Sequence, residues 1–168
     1  MSSRLAALAA LVLASLVAIS APAQASCADT AAPGVNWRRC LLDGRDLTGA
    51  DLSGAMLRDA SFQRANLSEA RLSEADAFRA KFVSARLRGA RLDGARLTEA
   101  DFTRADLTGA SLAGADLRNT RFFDAVLRDA DLTGARLLGT ELRRTDLSGA
   151  RWTDGKHICG PNSVGQCN

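Results

Sequence analysis

Few residues in this chain of 168 combine the type and the spacing that chemistry needs. Carboxylates are plentiful, among them Asp46, Asp51, Asp76, Asp101, Asp106, Asp116, Asp131 and Asp146. A catalytic acid–base pair needs a pocket and a shifted pKa. These carboxylates instead recur at multiples of five residues, which points to a structural pattern. His157 is the only histidine, so a Ser-His-Asp arrangement would have to use a terminal loop. The array's glycines keep the same register and build no phosphate-cradling loop. No catalytic residue, metal site or cofactor is expected. The remaining reactive groups are four cysteines, Cys27, Cys40, Cys159 and Cys167.

What positions all of these is a repeat. In "ADLTGASLAGADL", residues 105 to 117, Ala-x-Leu returns every five residues. Five is neither the 2 of a strand nor the 3.6 of a helix. The centres run from Leu42 to Trp152 without a slip, 23 in all: 17 Leu, four Phe, Ala77 and Trp152. Two residues before the centre, Ala fills 18 of the 23 positions; the others hold Cys40, Arg45, Thr120, Thr140 and Thr145. Two inward residues spaced by two make a short extended piece, and the residue between them points out. Frequent Gly, Asp and Asn at the fifth position suit a turn. Each five is therefore one side of a coil.

The aromatic centres set the number of sides. Phe62, Phe82, Phe102 and Phe122 are each 20 residues apart, which is four fives. A coil of four sides puts these rings in one stacked column, where offset stacking is favourable. Coils stack about 4.8 Å apart, so about six coils give a rod of roughly 27 Å. Two positions interrupt the pattern. Ala77 removes bulk from its column, which predicts a small void or a local shift, with Phe78 folded over that side. Arg45 stands at an inward position and is expected to escape through the open end of the first coil. Trp37 keeps the phase, five before Leu42, so Trp37 and Trp152 bracket the array. Exposed coil ends invite edge pairing and need caps, and both Trp are read as lids.

The Ala-(Asp/Asn)-Leu-(Ser/Thr)-Gly pattern, as in "ADLTGA" and "ANLSEA", resembles the pentapeptide-repeat family over about residues 40 to 154. That resemblance implies an all-β fold, a right-handed quadrilateral β-helix with short terminal caps, and most members have no known catalysis. The ends, "PGVNWRRC" and "WTDGKHICGPNSVGQC", resemble exported members of the family.

The first residues read as a leader. Arg4 precedes an apolar run from Leu5 to Ile19, followed by Ala23-Gln24-Ala25, the pattern of a cleavable secretory signal. A retained anchor is the rival, although the run is short for a membrane span. The division is then 1–25 signal peptide, 26–39 N-terminal capping segment, 40–154 repeat array and 155–168 C-terminal disulfide loop. Export places the chain in the periplasm or outside the cell, where paired cysteines persist. If the array is a rigid rod, its ends lie too far apart to bridge, leaving Cys27–Cys40 and Cys159–Cys167. Lipidation of Cys27 is a competing reading, with Gln24 poorly suited to it; zinc would need a spacing that these cysteines do not show.

The formal charge is +3, or +2 once Arg4 leaves with the leader. So weak a balance predicts no nucleic-acid partner. It also opposes the reading in which acidic members of the family mimic DNA and bind a topoisomerase, since mimicry needs a strongly negative surface. A ligand or glycan site in the terminal loops, using His157 or Trp152, is a further alternative. The expected role is a scaffold or interaction module with a protein partner in the cell envelope. Val83, Phe123 and Val126 form the candidate partner patch, because apolar side chains at outward positions mark contact surfaces.

Overall fold

A computed structural model describes residues 26–168, and the leader assigned to residues 1–25 lies outside the described residues. Parallel bridges join each residue before a centre to the one 20 positions on, from Asn36↔Met56 to Asp131↔Arg151. Four fives therefore close one coil, and the coils stack in register. We number the faces by their centres. Face 1 carries Leu42, Phe62, Phe82, Phe102, Phe122 and Leu142, and face 2 runs from Leu47 to Leu147. Face 3 runs from Leu52 to Trp152, and face 4 holds Trp37, Leu57, Ala77, Leu97, Leu117 and Leu137.

Backbone hydrogen bonding explains why five residues suffice for a side. In the five from Met56 to Ala60, Leu57 N–H donates to Asp76 of the next coil at 2.7 Å, and Asp59 N–H donates to Phe78 at 2.9 Å. Met56 N–H donates back to Val35 at 2.9 Å, and Ala60 N–H closes a turn on the Leu57 carbonyl at 3.0 Å. One N–H per five is left, on the residue after the centre. Where the residue before the centre is Asp or Asn, its side chain accepts that N–H: Asp101 takes Thr103 at 2.9 Å and Asp131 takes Thr133 at 2.9 Å. A buried or half-buried donor without a partner is costly, so the recurring Asp supplies the last bond of its side.

The turn demands a left-handed residue at its second central position. Glycine meets this at Gly109, φ 67°, but so do Arg64 at 57°, Glu69 at 59° and Arg104 at 59°. Those long side chains adopt a conformation that the sequence pattern reserves for Gly, Asp and Asn. Bonds to the coils above and below hold them there.

The interior is a filled square. The Ala and Leu positions are buried almost throughout, including Ala77. Phe62, Phe82, Phe102 and Phe122 stack with centroids 5.2, 4.6 and 5.1 Å apart and planes within 10° of parallel. Arg45 is exposed despite its inward register position. Thr120, Thr140 and Thr145 stand where Ala is usual. Each donates its hydroxyl to a carbonyl of the coil before, on Leu97, Leu117 and Phe122, at 2.8, 2.7 and 2.7 Å.

Both ends are closed. Trp37 is fully buried above Leu57 and lies within the ladder, beside the first bridge at Asn36. Cys27 and Cys40 are joined, with Cα atoms 5.4 Å apart. At the other end the chain reverses. Arg151↔Ile158 and Asp146↔Val164 are antiparallel bridges, so the last residues fold back over the final coil. Cys159–Cys167 fastens that segment, with Cα atoms 4.8 Å apart.

Candidate functional site

The carboxylates met first in the sequence all occupy the position before a centre, and their bonds there are structural. Asp46 lies below its usual pKa because the Thr48 hydroxyl and N–H bond to it. Asp51 and Asp131 are lowered in the same way by Ser53 and Thr133. In Asp106 burial pulls the pKa up, and bonds from Thr108 and Arg88 outweigh it. Asp116 is held down at about 2, chiefly by the Arg118 guanidinium, which donates at 2.7 and 2.6 Å. A carboxylate held as firmly as Asp116 is a poor general acid or base near neutral pH.

No set of three or more His, Cys, Asp or Glu among the described residues is arranged to hold a metal ion. No helix among the described residues is long and apolar enough to cross a membrane. His157 is exposed on the C-terminal segment, where its carbonyl accepts the Trp152 N–H at 2.8 Å. Trp37 is wholly buried, and Trp152 is half-buried at the end of face 3.

The outward columns remain. Val83 and Phe123 share one column on face 1, separated by Thr103, and both are half-buried. Val126 stands around the corner on face 2, in the column of Asp106 and Asp146. Phe123 is overlaid by guanidiniums: Arg143 lies 4.7 Å and Arg144 5.7 Å from its ring centre. On face 4, Phe78 is covered likewise by Arg58 at 4.9 Å and Arg96 at 5.2 Å. The two most exposed apolar residues, Leu41 and Leu138, are 78% and 80% exposed and lie outside the candidate patch. Their position within the five was the available signal, since anything apolar other than the centre and the small residue must face out.

A shallow groove of about 500 Å³ runs along the corner between faces 4 and 1, lined by Asp59, Arg79, Lys81, Glu99, Asp101, Asn119 and Arg121. Its walls alternate in charge, with Arg79 to Asp59 at 3.4 Å and Arg121 to Asp101 at 3.7 Å.

A stacked, disulfide-capped solenoid with a closed interior and variable outward columns defines a solenoid repeat protein. The family described as Pentapeptide repeats matches the chain in 8 copies, within residues 23–59, 46–82, 55–94, 85–122 and 120–151. The chain belongs to the pentapeptide-repeat family, whose members are generally non-enzymatic.

Among solved structures it is similar to HetL of the cyanobacterium Nostoc sp. strain PCC 7120, a pentapeptide repeat protein involved in heterocyst differentiation regulation. The two are 34% identical over 73% of this chain and 68% of that one, with a TM-score of 0.46. A pentapeptide repeat protein of the cyanobacterium Cyanothece 51142 is 28% identical over 71% of this chain and 88% of its own, with a TM-score of 0.46. One from the Arabidopsis thaliana thylakoid lumen is 28% identical over 71% and 81%, with a TM-score of 0.45. No curated protein matches the chain.

Proposed function

We propose that this protein is an exported, non-enzymatic scaffold or protein-interaction module: a right-handed quadrilateral rod of about six coils. It acts in the periplasm or outside the cell, on a protein partner in the envelope. One observation carries the reading. The inward positions are packed and the recurring Asp side chains complete their own turns, so the variable chemistry lies on the outward columns. Two disulfides in so small a chain support an oxidising compartment. A weakly basic charge speaks against mimicry of DNA.

The test is in-cell crosslinking with a photo-reactive residue placed on each face in turn, beginning with Phe123. A defined crosslinked protein, lost when neighbouring outward residues are changed, supports the module. A chain that stays monomeric and uncrosslinked from every face contradicts it.

A further inference from the structure

On a square rod the position of a residue within its coil decides which face it occupies, and the outward residues are not evenly dealt. Faces 4 and 1 meet along the corner of Arg39, Asp59, Arg79, Glu99 and Asn119. Together these two faces carry thirteen Arg or Lys against eight Asp or Glu, a net of +5. Faces 2 and 3, with Arg45 counted on face 2, carry seven against ten, a net of −3. The small overall charge therefore hides a rod with a basic side and an acidic side.

The apolar residues sort the same way. Leu41, Met56, Phe78, Val83, Phe123 and Leu138 all point outward from faces 4 and 1. Among the repeats of faces 2 and 3, Val126 is the one outward apolar residue larger than alanine, and Ile158 and Val164 of the C-terminal return add two at their last coil. Within the repeat array, two independent properties thus select one half of the surface. Arg beside Phe and Met is the composition that interface cores favour. A basic excess steers an acidic partner.

The partner's class follows from what interrupts the basic side. Asp59, Asp76, Glu99, Asp101, Asp116 and Asp124 lie among the guanidiniums, and several are paired with them. A polyphosphate laid along these faces would meet a carboxylate on successive coils, which weakens the phosphate contacts that nucleic-acid binding depends on. A second copy would bring its acidic faces, whose outward apolar side chains are Val126 and, at one end only, Ile158 and Val164, too few to match the six along this side. An acidic polypeptide carries both kinds of group at once. Resting on the interaction-module reading above, we propose that faces 4 and 1 form a docking surface for an acidic protein segment bearing apolar side chains.

The probe is a fluorescein-labelled peptide in which Glu and Asp alternate with Leu and Phe. Polyglutamate, a Lys counterpart of the peptide, a single-stranded DNA oligonucleotide and phosphatidylglycerol vesicles serve as comparators. Two charge-reversal pairs separate a face from bulk charge: Arg64→Glu with Lys81→Glu on face 1, and Arg45→Glu with Arg86→Glu on face 2. None of these four side chains takes part in an ion pair among the described residues, and the turn accepts Glu at the equivalent position 69, φ 59°. Saturable peptide binding is expected, weakened about tenfold by the face 1 pair and less than about twofold by the face 2 pair. Phe123→Ser with Leu138→Ser should also weaken it about tenfold, with an unchanged circular dichroism spectrum.

Equal loss from both charge pairs, no saturable binding, or tighter binding of DNA, vesicles or polyglutamate would overturn the proposal. Photo-reactive residues at Ala113 and Thr133 on face 3 distinguish the two levels. Cellular crosslinks from face 3 alone overturn this surface and leave the interaction module standing. Crosslinks from no face overturn both.

Discussion

The Thr120 hydroxyl donates to the carbonyl of Leu97, 23 residues earlier, at 2.8 Å. That carbonyl already accepts the Ala100 N–H at 2.9 Å, so the threonine ties itself to the turn of the coil before. Thr120 is fully buried, and without this bond its hydroxyl would be an unpaired polar group in the core.

Thr120→Val keeps the shape and removes the hydroxyl, but it also removes the bond between coils. A loss of about 1 kcal/mol is expected on chemical denaturation, and a similar loss for Thr145→Val. Because the two sites have different partners, the double variant should lose roughly the sum. A neutral or stabilising effect at both would show that these hydroxyls contribute no net stability.

The phenylalanine column is the largest block of buried aromatic surface. Phe102 stacks against a ring on each side, at 4.6 and 5.1 Å. Phe102→Ala should cost about 3–5 kcal/mol, because a rigid square interior cannot collapse onto the space. Phe102→Leu, which restores the side chain used by the other faces, should cost about 1 kcal/mol. Equal losses for the two would mean that the column relaxes around a void.

Both disulfides sit at the ends of the rod. Reduction should raise hydrogen exchange around residues 26–40 and 157–168 and leave the fives between Leu52 and Leu127 protected. Each coil is bonded mainly to its immediate neighbours, so loosening an end has little effect several coils away. Uniform loss of protection along the array would contradict this.

Acid should act through Asp116. Its folded pKa, about 2, is below its ordinary value of 3.8, because the Arg118 guanidinium binds the carboxylate. A depressed acid stabilises the fold above its unfolded pKa, and the contribution disappears as pH falls through the folded value. Between about pH 4 and about pH 2, wild-type stability should therefore fall more steeply than that of Asp116→Asn. Parallel pH curves for the two proteins would show that the pair adds nothing to folding.

How much of this was legible in the sequence depends on what enforces each feature. The coil period shows in the Phe spacing, because a narrow coil holds one ring per level and each ring needs another above it. The inward set shows because only small and apolar residues fit. The left-handed backbone of Arg64 or Glu69 does not show, because the stack imposes it against local preference. The Thr bonds are hidden for a related reason, since Thr at a small position reads as a tolerated substitute until a carbonyl is found within reach. The antiparallel return of Ile158 and Val164 lies beyond the repeat, where no periodicity constrains it. The basic and apolar side of the rod was written in the sequence throughout, but it emerges only when residues are sorted by coil position.

That sorting depends on the coil of four fives, so the coil register is the thing to measure. Spin labels at positions 51 and 151 share an outward column joined by successive parallel bridges on face 3, five coils apart. Pulsed electron-electron resonance should give a distance of about 24 Å, allowing for label length, and removing one coil by deleting residues 92–111 should shorten it by about 5 Å. A different distance, or a deletion that unfolds the rod or leaves the distance unchanged, would contradict the register and the faces built on it.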